Sequence, residues 1–332
     1  MHPSNQADNP PTQLESLQCR AVRTLANAIF APPLLQLDDR DAAVDTLPLL
    51  APQHNAAPLF FIDEHWDWLQ QLDRNPGALL STLAETQQAS RRRLPKLGEF
   101  HEQLLQFFLA NNGQTELLAH NLKVHDGSRD IGEFDIIYRN SEGHLVHLEL
   151  ACKYYLASQQ AATLRSDTTA LDCWIGPGRR DLLARKLTHS VERQLQLAAH
   201  PSAFKKLTLL TGALPTTLRR QLHIGGRLFY PAVAKDPEAF APEGLNPSHQ
   251  RGQWMRYSDW LQETCDSPVW QRLHKPWWMD KLPLADQLPQ SLQDRGALEP
   301  ASCPAMIQQR CEAGNDSYRF IVPDDWDTQT IG

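Results

Sequence analysis

Between residues 13 and 90 the apolar positions recur three and four residues apart, the period of helices with one buried face. The first such run, AVRTLANAIF, runs into Pro32 and Pro33, and a residue that precedes proline is pushed out of helical geometry, so the helix ends there. WDWLQQLDRNPGALLSTLAE predicts two further helices, parted at Asn75-Pro76-Gly77. In LGEFHEQLLQFFLAN, Leu97, Phe100, Leu104, Phe107 and Phe108 keep the helical period until Asn111-Asn112-Gly113 stops it.

The period then changes. ELLAHNLKV, GEFDIIYRN and GHLVHLELACKYYL are rich in branched and aromatic residues, and Asn140-Ser141-Glu142-Gly143 is a hairpin signal between the last two. The three read as an antiparallel meander. Beyond a polar loop that ends in Gly176-Pro177-Gly178, RRDLLARKLTHSVERQLQLAA reads as a helix with Leu183, Leu187, Val191 and Ala198 on one face. KKLTLLTG and GRLFYP read as two short strands. AMIQQRCE and SYRFIVP read as two more, joined by Gly314-Asn315-Asp316. Helix, three strands, helix and strand make an α/β core with a mixed sheet. That core spans residues 91–235, between a helical region over 13–90 and a C-terminal extension over 236–332 that is richer in Pro and Trp and packs on the core.

Composition narrows the class. At 332 residues with 41% hydrophobic content the chain can bury a substantial core. A net charge of -7 argues against a protein that coats nucleic acid through bulk positive charge, and leaves room for a local basic groove. The six cysteines form no C-x-x-C pair and have no histidines at zinc-finger spacing, so reduced thiols are expected. With no basic-then-apolar leader and no apolar run of about 18 residues, the expectation is a soluble cytoplasmic protein without a membrane span. Oligomeric state is not legible.

The informative chemistry lies in GEFDIIYRNSEGHLVHLELACKYYL, where charges interrupt strand-like apolar runs. Residues of equal parity share a strand face, so Glu133, Asp135 and Ile137 form one set, and Glu149, Ala151 and Lys153 another. A hairpin centred on Ser141-Glu142 sets Asp135 close to Glu149. Buried like charges repel and lose solvation, so such a pair needs a positive neighbour. A hard divalent cation with oxygen ligands meets that need, and Mg²⁺ takes one or two carboxylates together with waters and phosphate oxygens. The plainer alternative is an Asp135 that caps a turn and a Glu149 that pairs with Lys153 or a distant arginine.

These residues resemble the PD-(D/E)XK nuclease superfamily, whose core is a helix, three strands, a helix and a strand. Within it the chain is most similar to the bacterial family labelled domain of unknown function 1853, over nearly its whole length. The matching stretches are AVRTLANAIFAPPLL, LGEFHEQLLQFFL, IGEFDIIY, HLELACKYYL, WIGPGRRDLLARKL with Gln194, GGRLFYP and RFIVPDDW. The resemblance implies a restriction-endonuclease-like fold in which Asp135 and Glu149 bind Mg²⁺ or Mn²⁺ and Glu102, on the first core helix, completes the metal site. Glu102 sits at the edge of its helix's apolar arc, where a solvated glutamate is the alternative. Gln194 resembles the helix glutamine that contacts the site in several branches, with a hydrogen-bonded core glutamine as the alternative. Glu133 is a further ligand candidate.

The lysine departs from the pattern. The superfamily places it two residues after the acid, where this chain has Ala151, and Lys153 stands four residues after Glu149. Their Cα atoms lie roughly 13 Å apart at about 3.3 Å per residue. Either Lys153 folds back toward the metal, or Ala151 replaces the acid of the motif and Glu149 is a displaced ligand. Phosphate contacts are expected from Arg91, Arg92, Arg93 and Lys96, or from Arg179, Arg180, Arg185 and Lys186. The second group is favoured because Gly178-Arg179-Arg180 precedes a helix N-terminus. Trp277 and Trp278 fit base stacking or, better, packing. The function implied is metal-dependent hydrolysis of DNA or RNA phosphodiesters; the rival is a degenerate nuclease fold kept for nucleic-acid or protein binding.

Overall fold

The computed structural model describes residues 11–36, 59–89, 95–158, 170–213, 215, 217–232, 244–263, 269–280, 298–310 and 316–328. Short α1 (Pro11–Glu15) leads into α2 (Arg20–Phe30), which buries Val22, Leu25, Ala26 and Ile29 and ends at Ala31 before the two prolines. Next come α3 (Ile62–Arg74) and α4 (Gly77–Ala89), parted at Asn75 and Pro76, and α5 (Leu97–Asn111). Leu25, Ile29, Leu69, Phe100, Leu104 and Phe108 from these helices share one core with Ile136, Leu148, Leu150 and Tyr154 of the sheet. The helical layer thus covers one face of the central strands.

The expected meander is β1 (Glu116–Asp126), β2 (Arg129–Arg139) and β3 (Leu145–Ala157), all antiparallel. The two-residue β4 (Trp174–Ile175) pairs with the end of β3. The helix expected after it is broken into α6 (Leu183–His189), a π-turn over Ser190–Gln194 and a 3₁₀ turn over Leu197–Ala199. KKLTLLTG is not a strand. It belongs to α7 (Pro201–Thr211), which has Pro at its first position, a His200 cap, Ala203 and Leu207 buried one turn apart, and Gly212 at φ 72° as its left-handed stop. The lysines and leucines are good helix formers, and packing and caps outweigh the β propensity of Thr208 and Thr211.

GRLFYP is the second half of the longer β5 (Leu218–Pro231), which runs parallel to β3 from Leu145↔Leu218 to Leu156↔Phe229. Then follow β6 (Arg251–Arg256), α8 (Tyr257–Gln262), β7 (Val269–Leu273), β8 (Ala305–Arg310) and β9 (Asp316–Val322). Among the described residues these form one mixed nine-stranded sheet in the order β1-β2-β3-β5-β6-β9-β8-β7, with β4 on β3. The expected C-terminal strand pair is present as β8 and β9, and it continues the same sheet. Among the described residues no helix is long and apolar enough to cross a membrane.

One irregularity positions the site. The β2–β3 ladder runs from Arg139↔Leu145 only as far as Ile136↔Leu148, while β2 stays paired with β1 down to Arg129 and β3 stays paired with β5 up to Leu156. The sheet therefore forks just where Asp135 and Glu149 come next in register. Alternation also slips there. Phe134 and Ile137 both pack in the cluster under α7, whereas Ile136 packs in the opposite core, so the parity that grouped Asp135 with Ile137 does not hold through β2.

Candidate active site

At the fork, the Leu150 amide donates to Asp135 Oδ2 at 2.9 Å. The carboxylate thus satisfies a β3 donor beyond the end of the β2–β3 ladder, and this fixes Asp135 beside the Glu149–Leu150 peptide. Glu149 lies in LVHLELA, a run buried on both faces, and is only 2% exposed. Its Oε1 lies 3.5 Å from Lys186 Nζ, and its Oε2 has no hydrogen-bond donor. Burial, and then the charge of Asp135, push the Glu149 carboxyl up to about 8, with Lys186 pulling the other way.

Glu102 reaches the same field from α5. Burial raises it to about 7, followed in effect by Asp135, Glu133 and Glu99, against Lys186. Glu102 and Glu149 thus both feel the charge of Asp135 and, with the opposite sign, that of Lys186. A cleft of about 220 Å³ opens there, lined by Gly98, Glu102, Ala151, Lys153 and Lys186 among others. Among the described residues no three His, Cys, Asp or Glu side chains stand close enough to grip one ion together. The donor set is a two-carboxylate one. It fits a hard divalent cation that takes its other ligands from water and phosphate, because Asp135 stands beside Glu149 and raises its cost of ionisation, and Glu149 Oε2 is buried without a donor.

A family model described as domain of unknown function (DUF1853) matches residues 23–311. The chain belongs to that family. Neither a curated protein nor a solved structure shows a significant match to it. Glu102, Glu133, Asp135, Glu149 and Lys186 all fall within the matched DUF1853 stretch.

The other expected residues of this DUF1853 chain divide between the cleft and the scaffold. Lys153 lines the cleft, but its amine is bonded to the Asp181 carboxylate, so the lysine that meets Glu149 is Lys186. Gln194 closes the π-turn half-buried and makes no hydrogen bond to Asp135 or Glu149. Arg179 faces inward. It is 7% exposed, donates to the Trp326 carbonyl and lies over the Trp326 ring at 5.1 Å, so it braces the C-terminal segment and is unavailable as a phosphate contact.

Arg180 and Arg185 are exposed, Arg185 on the outer side of α6. Lys96 pairs with Glu99 at the start of α5, its own amide donating to that carboxylate at 3.2 Å. Arg91, Arg92 and Arg93 lie outside the described residues. Trp277 and Trp278 are packing residues. Trp277 lies under Arg20 and meets Phe100 edge-on, and Trp278 meets Tyr154 and Phe320. Sequence reasoning placed Lys186 among phosphate contacts and overlooked Asp181. The helical stripe of Leu183 and Leu187 marks the buried side of α6, but the depth to which the neighbouring Lys186 reaches is a tertiary property.

Proposed function

We propose that this protein is a metal-dependent phosphodiesterase of restriction-endonuclease-like fold, acting on DNA or RNA with Mg²⁺ or Mn²⁺. The observation that carries the reading is the Asp135–Glu149 pair at the fork of the sheet, with a buried Glu149 oxygen that has no donor. Asp135 and Glu149 would hold the cation, and Glu102, on α5 beside them, would add negative charge to the site. The bound cation would supply Lewis-acid stabilisation and a more acidic water. Asp135 is held in place by the Leu150 amide, so one ligand is pre-set by the backbone rather than by a mobile loop. Arg180 and Arg185, both exposed, would supply contacts to the phosphate backbone.

The competing reading is a catalytically silent nucleic-acid or protein-binding module, and one observation favours it: the strand lysine is tied to Asp181 and away from the acids. Labelled single- and double-stranded DNA and RNA, incubated with Mg²⁺ or Mn²⁺ and the protein or its Asp135→Ala variant, separate the two. Metal-dependent cleavage by the wild type alone supports the enzyme. Substrate binding without cleavage by either protein supports the module.

A further inference from the structure

We propose that Lys186, on α6, is the catalytic cation of this site and that Lys153 is a positioning residue of its wall. This rests on the phosphodiesterase reading above. Lys186 Nζ stands 3.5 Å from Glu149 Oε1, its side chain is 19% exposed, and it lines the same cleft as Glu102. Its location is fixed from below, since Leu183 is fully buried and Leu187 packs against the same cluster as Ala151 and Tyr155. Lys153 has the opposite history. It sits four residues beyond Glu149 on β3, and its amine is taken by Asp181, the residue that follows the Gly176–Arg180 turn.

The two lysines thus enter one cleft from different elements, and only one of them touches an acid of the candidate metal pair. An amine that bonds Glu149 on one side has further donors for a phosphate oxygen on the other. In hydrolysis the oxygen of a water bonds to phosphorus, the P–O bond to one flanking nucleoside breaks, and the proton released by the water ends on the leaving oxygen through solvent. Negative charge builds on the non-bridging oxygens between those events. Lys186 meets that charge as a fixed donor at the edge of a poorly solvated site, where such donors act most strongly. It transfers no proton, and the sequence needs no oxidant or reductant.

The test compares the wild type with Lys186→Met, Lys186→Arg and Lys153→Met, using two readouts: Mn²⁺ binding by calorimetry, and single-turnover cleavage of a labelled oligonucleotide. Lys186→Met should bind Mn²⁺ at least as well as the wild type, because a competing positive charge has gone, while its cleavage falls roughly 100-fold, the scale of one transition-state donor. Lys186→Arg should recover part of the rate, and Lys153→Met should lose less than about tenfold. Lys153→Met losing as much as, or more than, Lys186→Met overturns the assignment. Loss of Mn²⁺ binding in Lys186→Met also overturns it, since the residue is then structural. A wild type that binds no Mn²⁺, or binds it and cleaves nothing, overturns the phosphodiesterase reading itself and this assignment with it.

Discussion

The Asp135 carboxylate accepts a 2.9 Å hydrogen bond from the Leu150 amide just beyond the point where the β2–β3 ladder stops. One side chain therefore finishes the sheet and sets its charge beside the Glu149 carboxyl. The two roles are separable. Asp135→Asn keeps an acceptor for Leu150 and loses the charge, whereas Asp135→Ala loses both. Mn²⁺ binding should disappear in both variants by calorimetry. In denaturant melts Asp135→Ala should unfold earlier than Asp135→Asn, by roughly 1 kcal/mol for the stranded amide.

Stability should depend on pH through Glu149. Its folded-state value of about 8 lies above the 4.5 of a free carboxyl, so the native protein keeps a proton that the unfolded chain has released. The stabilisation is complete below about 4.5 and is lost as pH rises toward 8. Burial lowers His101 to about 4 and His223 to about 3, which works in the opposite sense: stability falls as pH drops through 6.5. Comparing thermal melts of the wild type and Glu149→Gln without divalent ions cancels the histidines. The wild type should lose melting temperature relative to the variant between pH 5 and pH 8, and saturating Mn²⁺ should remove the difference in slope.

Gly226 sits at φ +126°, and a Cβ built on it would overlap the Lys153 carbonyl oxygen. Neither partner can yield, because both are backbone of paired strands. Gly226→Ala should cost about 3 kcal/mol or more in chemical unfolding, from backbone strain and overlap together.

The C-terminal segment clasps the wall of the cleft. Trp326 is 2% exposed, packs on Trp254, and donates from its indole to the Pro177 carbonyl at 2.8 Å, while Arg179 donates back to the Trp326 carbonyl. This clasp braces the turn that leads to Asp181, the partner of Lys153. Trp326→Ala should lower stability by about 3–5 kcal/mol. It should also speed amide hydrogen exchange across residues 176–181. Arg180→Ala, one residue from Arg179 but exposed, should stay within about 0.5 kcal/mol of the wild type.

Local signals carried much of the fold. Pro32, the Asn75-Pro76 break and the Asn140–Gly143 turn punctuate the chain where the elements end, and that hairpin turn alone placed Asp135 across from Glu149. What escaped was non-local. KKLTLLTG sits in a helix whose caps are local, while the burial of Ala203 and Leu207 that holds it there comes from packing on the sheet. The π-turn at Ser190–Gln194 breaks a helical period that reads as continuous in sequence. Lys186 and Arg179 lie a few residues apart in a basic run, yet one enters the acid cleft and the other the C-terminal clasp. That difference depends on which elements pack behind them, and composition carries no trace of it.

The most direct measurement is a crystal structure of the protein soaked in Mn²⁺, with anomalous scattering recorded at the manganese edge. The expected result is one strong peak between the carboxylates of Asp135 and Glu149, in contact with both and absent from Asp135→Asn crystals. No peak at that position under saturating Mn²⁺, with Lys186 still paired to Glu149, would contradict a metal-dependent site.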